Sequence, residues 1–263
     1  RWQYAGLPPG WQRPALSGVA VLPHNACHSF VSTTSAAMTQ YTVRIWDLPT
    51  RLFHWALAAC VVGLVVTAKL GGNAMEWHFR LGYGVLALLL FRLAWGVVGG
   101  HWSRFSSFLL SPARLLRYLR GKAPADDLVG HSPLGALSVV ALLAVLIAQV
   151  VTGLLSDDEI AFSGPLTRFV SNAVVGQATG YHKDIGQYLV IALVVLHLAA
   201  IVFYVLVRRQ RLVRPMLHGD KVLPAPAMPS SDNAAARALA LVVFVLSCGV
   251  AWWVASLGAS AGF

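Results

Sequence analysis

The sequence contains little charge, and little negative charge in particular. Charged residues make up 11% of its 263 residues, with 10 acidic against 20 basic side chains, whereas hydrophobic residues make up 57%. Ordinary soluble domains contain about 25% charged residues. The composition therefore excludes an ordinary soluble fold and predicts an integral membrane protein.

Cysteine is also scarce. The three cysteines, Cys27, Cys60 and Cys248, are far apart in the sequence and indicate neither a disulfide framework nor a metal-binding pair. No C-x-x-C-H motif occurs, which argues against covalently attached c-type haem. Any haem in this protein is therefore expected to be bound noncovalently.

Long apolar runs, in contrast, are abundant. A helix needs about 20 apolar residues to cross the hydrocarbon core of a membrane, and five windows meet this requirement. They predict an all-α integral membrane protein with a four-helix transmembrane bundle and a fifth, C-terminal transmembrane helix. The five predicted spans are Phe53–Leu70, Phe79–Val98, Leu134–Leu155, Ile185–Val207 and Ala236–Leu257.

The net charge of +10 is explained by membrane topology. Basic residues concentrate before the first span and after the second and fourth spans, as the positive-inside rule expects of cytoplasmic segments. We predict a bacterial inner-membrane protein with a cytoplasmic N-terminus and a periplasmic C-terminus, in contact with membrane lipid and with no nucleic-acid partner. The basic residues are Arg44 and Arg51, then Arg104, Arg114, Arg117, Arg120 and Lys122, then Arg208, Arg209, Arg211, Arg214 and Lys221.

The first forty residues differ in composition from the rest, being rich in proline, glycine and serine. We interpret residues 1–40 as an N-terminal extension, disordered or upstream of the true start, residues 41–221 as the four-helix core, and residues 222–263 as a linker and the fifth span. The extension either contains a weak signal peptide around Ala15–Ala37 or precedes a start at Met38. We favour Met38, because the apolar stretch of the first alternative is interrupted.

Four of the nine histidines lie within or beside predicted spans, and ionisable residues at membrane depth are functional candidates. The first span enters from the cytoplasm, which places His54 near the inner face. The second and fourth spans enter from outside, which places His78 and His182 near the outer face. His197 follows His182 by fifteen residues, which is about 22 Å along a helix. Only histidines at the same depth can share one site, so we pair His54 with His197 and His78 with His182.

Each pair supplies two imidazoles and no carboxylate or thiolate. Structural zinc takes four protein ligands, whereas a haem iron needs only two axial ligands because the porphyrin supplies the other four donors. We therefore infer two noncovalently bound haem groups stacked in one bundle, each with two histidine ligands to its iron. We leave the other five histidines out of the ligand set; these are His24, His28, His101, His131 and His218. Of these, His131 is a candidate contact to quinone or to a propionate.

Both outer histidines are followed one turn later by glycine, Gly82 after His78 and Gly186 after His182. Residues four apart lie on one face of a helix, and a missing side chain there would let a flat macrocycle approach. Small residues in membrane helices also serve close helix packing. The repetition after both histidines favours a place for Gly82 and Gly186 beside the haem.

Haem propionates need cationic or polar partners. The candidates are Arg44, Arg51 and Arg92 at the inner depth and Arg80 and Lys183 at the outer depth. Arg92 lies inside the second span, where its side chain either extends to the interface or pairs with a propionate. The sequence leaves both alternatives open for Arg92.

These residues resemble the prokaryotic cytochrome b561 family, which includes the b-type cytochrome subunits of nickel-iron hydrogenases. The resemblance extends from about Tyr41 to Lys221 and rests on V-R-I-W-D-L-P-T-R-L-F-H-W at 43–55, H-F-R-L-G at 78–82 and the late histidines. It implies a four-helix core that binds two b haems. The implied ligands are His54, His78, His182 and His197.

The leading hypothesis is a dihaem b-type cytochrome that transfers electrons across the cytoplasmic membrane between a periplasmic redox partner and the quinone pool. The resemblance implies a c-type cytochrome, a hydrogenase or a dehydrogenase as that partner, and the fold alone does not choose among them. An acidic cluster, Asp157–Glu159, favours a basic protein partner, whereas Arg80 and Lys183 favour a small anionic reductant. The first alternative is therefore a stand-alone oxidoreductase that passes electrons from superoxide to quinone.

A second alternative, from a different class, is a metal or proton transporter in which the histidines form a relay. It requires acidic residues at depth, and the five predicted spans contain no internal Asp or Glu. The fifth span has no histidine, and we expect it to be structural or to face a partner. A second copy of the chain is one such partner.

Overall fold

The computed structural model of the protein describes residues 40–108 and 111–259. The predicted extension before residue 40, with His24, Cys27 and His28, lies outside the described residues. In chain order the elements are β1 (Tyr41–Arg44), α1 (Leu48–Leu70), α2 (Ala74–Val98), α3 (Pro112–Leu119), α4 (Pro133–Leu154), α5 (Asn172–Gly180), a π-helical turn (Tyr181–Gly186), α6 (Gln187–Leu206), α7 (Val213–His218), β2 (Asp220–Leu223) and α8 (Ala234–Ala259).

The described residues contain five helices that are long and apolar enough to cross a membrane, which confirms the predicted fold class. Helix α2 is the most buried of the five and packs mainly along α1 and α8, with a smaller contact to α4. Helix α4 in turn packs along α6. The described core centres on α2, and its buried residues include Val85, Leu88, Leu89, Phe91 and Trp95.

The fourth span is longer than the sequence predicts. The structure continues it from Asn172 to Leu206, with the π-helical turn in the middle, whereas the predicted window begins at Ile185. Residues 172–184 include Asn172, glycines and other polar residues, so an apolar window does not detect this first part. His182 therefore lies well inside a helix, and the loop that precedes this helix ends near Ser171.

The two short strands connect the beginning of the core to its end. Strand β1 pairs antiparallel with β2, with Arg44 opposite Asp220. The Arg44 guanidinium contacts Asp220 at 2.6 Å and Asp232 at 2.5 Å, and these hydrogen bonds raise the pKa of Arg44. Asp232 also accepts a hydrogen bond from the Leu48 backbone N–H at 3.2 Å. The segment predicted to be a linker is therefore bound to the start of α1, on one side of the bundle.

A buried carboxylate organises this same end of the bundle. Asp47 has no exposed surface and caps α1, because its Oδ1 accepts a hydrogen bond from the Thr50 N–H at 2.8 Å. Its carboxylate also accepts bonds from Trp95 Nε1 at 3.2 Å and from Ser103 Oγ at 2.5 Å. Asp47 thus joins the start of α1, the end of α2 and the following segment.

His131 lies next to this network but is not part of either histidine pair. Its ring lies 4.5 Å, between centroids, from both Trp46 and Phe108. Burial, together with the positive charges of Arg92 and Lys221, lowers the pKa of His131 to about 3. The imidazole is therefore neutral at physiological pH.

The buried state of His131 predicts a loss of stability in acid. An unfolded histidine takes up a proton near pH 6.5, whereas folded His131 does so only near pH 3. Between these values the unfolded chain binds more protons, so folding stability is lost as the pH falls through this window. Between pH 7 and pH 5 the loss should be about 2 kcal/mol. Chemical denaturation of detergent-solubilised protein should show a smaller loss for His131→Gln, and an equal loss in both proteins would contradict this prediction.

Candidate metal centres

The structure brings together the same histidine pairs that membrane depth predicts. His54 of α1 and His197 of α6 have ring centroids 6.5 Å apart, at an interplanar angle of 53°. His78 of α2 and His182 of the π-helical turn have centroids 6.2 Å apart, at an angle of 87°. All four side chains are half-buried. The two pairs therefore form two separate levels along the helix that carries His182 and His197.

These separations fit two imidazoles on opposite sides of one metal ion. With a metal–nitrogen bond of about 2 Å on each side, the two ring centroids lie about 6 Å apart. The described residues contain no cluster of three or more His, Cys, Asp or Glu side chains that could hold a metal ion. A four-ligand protein site is thus excluded within the described chain, whereas a macrocycle that supplies its own in-plane donors fits both pairs.

Hydrogen bonds fix the ring orientation of the outer pair, His78 and His182. His78 Nδ1 lies 3.1 Å from the Leu64 carbonyl oxygen, and His182 Nδ1 lies 2.9 Å from the Gln149 carbonyl oxygen. A carbonyl only accepts, so Nδ1 carries the proton in both rings and Nε2 keeps the lone pair that binds a metal. In the inner pair, His54 Nδ1 is buried without a partner among the described residues.

The two glycines of the H-x-x-x-G repeats differ in their surroundings. A β-carbon added to Gly82 would meet no atom within 4 Å, so open space lies beside α2 one turn after His78. A β-carbon on Gly186 would overlap the side-chain oxygen of Gln149. The two glycines, which the sequence treats alike, therefore differ: Gln149 occupies the space beside Gly186, whereas the space beside Gly82 is open.

The inner cations also differ from one another. Arg44 is bound to Asp220 and Asp232, so its guanidinium already has two carboxylate partners. Arg51 donates to the Leu217 carbonyl at 2.5 Å, and its Nε is buried without a partner in the described chain.

Arg92 is the cation best suited to meet an anionic group inside the bundle. It is 3% exposed, which excludes extension of its side chain to the lipid interface. The guanidinium lies 4.7 Å from the Phe105 ring centroid, and its Nη1 is buried with no hydrogen-bond partner among the described residues. Buried donors are rarely left unpaired, so Arg92 has a hydrogen bond available for a ligand.

The outer cations lie at the surface. Arg80 is paired with Glu76 one turn away, and its guanidinium lies 5.0 Å from the Trp77 ring centroid. Lys183 is exposed and lies in the π-helical turn directly after His182. Of the two, Arg80 already has a carboxylate partner, which makes Lys183 the better candidate for an outer propionate.

Sequence reasoning missed Gln149 and Gly153 of α4, which contact the outer histidine. The Gln149 side chain donates from Nε2 to the His182 carbonyl at 3.0 Å, and Gly153 lies against the His182 ring. A signal was present in the sequence: Gln149 is the only amide side chain in the third predicted span, and a polar side chain at membrane depth needs a partner.

An all-helical membrane bundle that brings histidines of different helices together in pairs is typical of transmembrane b-type cytochromes. Comparison with known sequences agrees, since the family model for prokaryotic cytochrome b561 matches residues 45–219. The chain therefore belongs to the prokaryotic cytochrome b561 family. No solved structure gives a significant match to the chain.

Relatives with curated names share one description, "Probable Ni/Fe-hydrogenase B-type cytochrome subunit". Those from Azotobacter chroococcum mcd 1 and Azotobacter vinelandii are each 26% identical over 213 residues, which cover 68% of this chain and 88% of the relative. One from Cupriavidus necator is 25% identical over 207 residues, which cover 66% of this chain and 85% of the relative. The similarity thus spans nearly the whole length of these relatives.

Proposed function

We propose that the protein is a dihaem cytochrome b that carries electrons across the membrane. One haem b is held between His54 and His197 and the other between His78 and His182, each as bis-histidine iron. The observation that supports this most directly is the centroid separation of 6.5 Å and 6.2 Å in the two pairs. Fifteen helical residues separate the levels of His182 and His197, or about 22 Å, which is most of a hydrocarbon core of about 30 Å.

The chain's own residues bind, orient and insulate these groups. The haem iron supplies one-electron oxidation and reduction when it is bound. The Nδ1 hydrogen bonds of His78 and His182 hold their rings in place, and the apolar faces of the spanning helices keep water away. Axial ligands, hydrogen bonds and burial are the means by which a protein tunes haem potential.

We propose a protein as the outer redox partner and quinone as the inner one. Relatives named as hydrogenase cytochrome subunits favour a hydrogenase, and the distribution of basic residues predicts that the His78–His182 level lies at the periplasmic face. Arg80 is paired with Glu76, which weakens the attraction of this face for an anionic reductant such as superoxide. A hydrogenase-type partner at the outer level and quinone at the inner level is the arrangement we favour.

The acidic turn at this face also has a structural role. Asp158 accepts backbone hydrogen bonds from Phe162, Ala161 and Ile160, and these bonds lower its pKa. Asp157 accepts one from the Glu159 N–H at 2.7 Å. Two of the three acidic side chains therefore hold the turn itself in shape.

The proposal is tested by absorption spectra of the purified, oxidised and dithionite-reduced protein, with a pyridine haemochrome assay of haem per chain. We expect two b-type haems per chain, low-spin in both oxidation states. One haem per chain would remove one of the two proposed sites. Protein that contains no haem after expression in a haem-replete host would contradict the proposal and favour a transporter.

Arg92 supplies a separate prediction for the inner haem. A positive charge nearby stabilises the reduced haem, so Arg92→Gln should lower the midpoint potential of the His54–His197 haem by tens of millivolts, given about 59 mV per tenfold change for one electron. Potentiometric titration measures both haems in one experiment. Arg120→Gln, which removes an exposed cation, is the matched control and should change neither potential. Equal potentials in the wild type and Arg92→Gln would contradict a role for Arg92 beside the haem.

A further inference from the structure

The outer histidine lies in an irregular part of its helix. Between α5 and α6 the chain forms a π-helical turn at Tyr181–Gly186, and His182 is its second residue. Such turns are rare in proteins, and those that are found often lie at functional sites. A π-helical turn is intrinsically less stable than α-helix, so contacts from outside must hold it in place.

Gln149 of α4 supplies two such contacts to one residue. Its backbone carbonyl accepts a hydrogen bond from His182 Nδ1 at 2.9 Å, and its side-chain Nε2 donates to the His182 backbone carbonyl at 3.0 Å. The side chain reaches this position because Gly186, also in the π-helical turn, has no β-carbon. Gln149 therefore holds the imidazole and the backbone of His182 together.

Gly153, one turn further along α4, sets how closely the ring approaches the helix. A β-carbon at this position would lie 2.8 Å from His182 Cε1 and 3.1 Å from Nδ1. Contacts this close force one of the groups to move. The bare backbone at Gly153 thus allows the ring to reach the Gln149 carbonyl.

We propose that Gln149 and Gly153 are positioning residues that set the orientation and basicity of His182, and thereby the potential of the haem that His182 binds. The proposal rests on the dihaem function given above. A hydrogen bond from Nδ1 to a carbonyl makes an axial imidazole a stronger donor, which stabilises ferric iron and lowers the potential. His54 has no such bond to Nδ1 in the described chain, so the effect is specific to the outer level.

The test uses the purified full-length protein in detergent, with potentiometric titration and electron paramagnetic resonance of the ferric haems. The two signals are first assigned with His182→Ala and His197→Ala. Gln149→Met keeps the volume of the side chain and the backbone carbonyl that His182 Nδ1 contacts, and it removes the Nε2 bond to the His182 backbone. Without that bond the His182 backbone is held less firmly, and the Nδ1 bond should weaken. We expect a higher midpoint potential and an altered low-spin signal for the His182 haem only, with two haems per chain retained.

Gly153→Ala is the second variant, and it should displace the ring more strongly. We expect partial loss of the His182 haem or its conversion to high spin, with the other haem unchanged. Gly249→Ala is the matched control, because a β-carbon at this helical glycine of α8 would meet no atom within 4 Å, and it should behave as the wild type.

Two results would overturn the positioning role. One is an unchanged His182 haem in both variants, and the other is an equal change in both haems, which indicates a general disturbance of the bundle. A wild-type protein without two haems would instead contradict the dihaem proposal itself. The wild-type haem content therefore separates failure of the positioning role from failure of the proposed function.

Discussion

Replacing His182 with alanine should reduce the haem content from two per chain to about one. The proposed outer haem has two axial ligands, and the described residues near His78 and His182 offer no further His, Cys, Asp or Glu to complete a site. Loss of one imidazole leaves the iron five-coordinate at best, which weakens binding and produces high-spin iron. A pyridine haemochrome assay and ferric low-spin signals measure both consequences.

The four single histidine variants should fall into two classes. His78→Ala and His182→Ala should remove the same spectroscopic signal, and His54→Ala and His197→Ala should remove the other. The double variant His78→Ala/His182→Ala should lose no more haem than either single variant, because both residues hold one group. Two fully low-spin haems in His182→Ala would exclude the ligand assignment.

Replacing Asp47 with alanine should cause a large loss of stability, because the change removes a buried hydrogen-bond acceptor. The change leaves two donors, the Thr50 N–H and Trp95 Nε1, without their acceptor, whereas Ser103 Oγ keeps the Thr50 hydroxyl as a partner at 2.7 Å. A buried donor left unsatisfied costs about 1–3 kcal/mol, so the free energy of unfolding should fall by about 2 kcal/mol or more. Denaturation of the detergent-solubilised protein, followed by absorbance of bound haem and by circular dichroism, measures the loss.

Asp220→Ala is a suitable control for this prediction. Asp220, like Asp47, is a carboxylate with hydrogen-bond partners, in this case Arg44. Its side chain is 38% exposed, however, and exposed ion pairs contribute about 1 kcal/mol or less. Asp47→Asn should lie between the two variants, because an amide keeps one acceptor oxygen. A loss in Asp47→Ala no larger than that in Asp220→Ala would show that the buried network does not stabilise the bundle.

Apolar length was sufficient to predict the five spans, because each needs only enough hydrophobic surface to cross the bilayer. The histidine pairs were predictable for a related reason: alternating chain direction sets the depth of His54, His78, His182 and His197 before any contact is known. The early start of the fourth span was not predictable from hydropathy, since Asn172 and its neighbours are helical without being strongly apolar. The π-helical turn leaves no pattern that distinguishes it from ordinary helix.

The partners of Asp47 and Arg44 could not be predicted, because they lie far away in the sequence. Asp47 bonds to Trp95 and Ser103, which are 48 and 56 residues away, and no local pattern indicates these partners. Arg44 is a candidate haem contact in the sequence because haem propionates need cationic or polar partners. The anions that it binds, Asp220 and Asp232, belong to segments that the sequence describes only as a loop and a linker.

The ion pairs of Arg44 constrain the order in which the bundle can be assembled. Its two carboxylate partners lie 176 and 188 residues further along the chain, so neither exists when α1 first enters the membrane. The inner end of the bundle can close only after the residues that lead into α8 have been synthesised. Until then the Asp47 cap can form at the start of α1, but the ion pairs of Arg44 cannot. A chain truncated before Asp232 would therefore retain all four histidines and the Arg44–Asp220 pair, but would lack the bonds of Asp232 to Arg44 and to the Leu48 N–H.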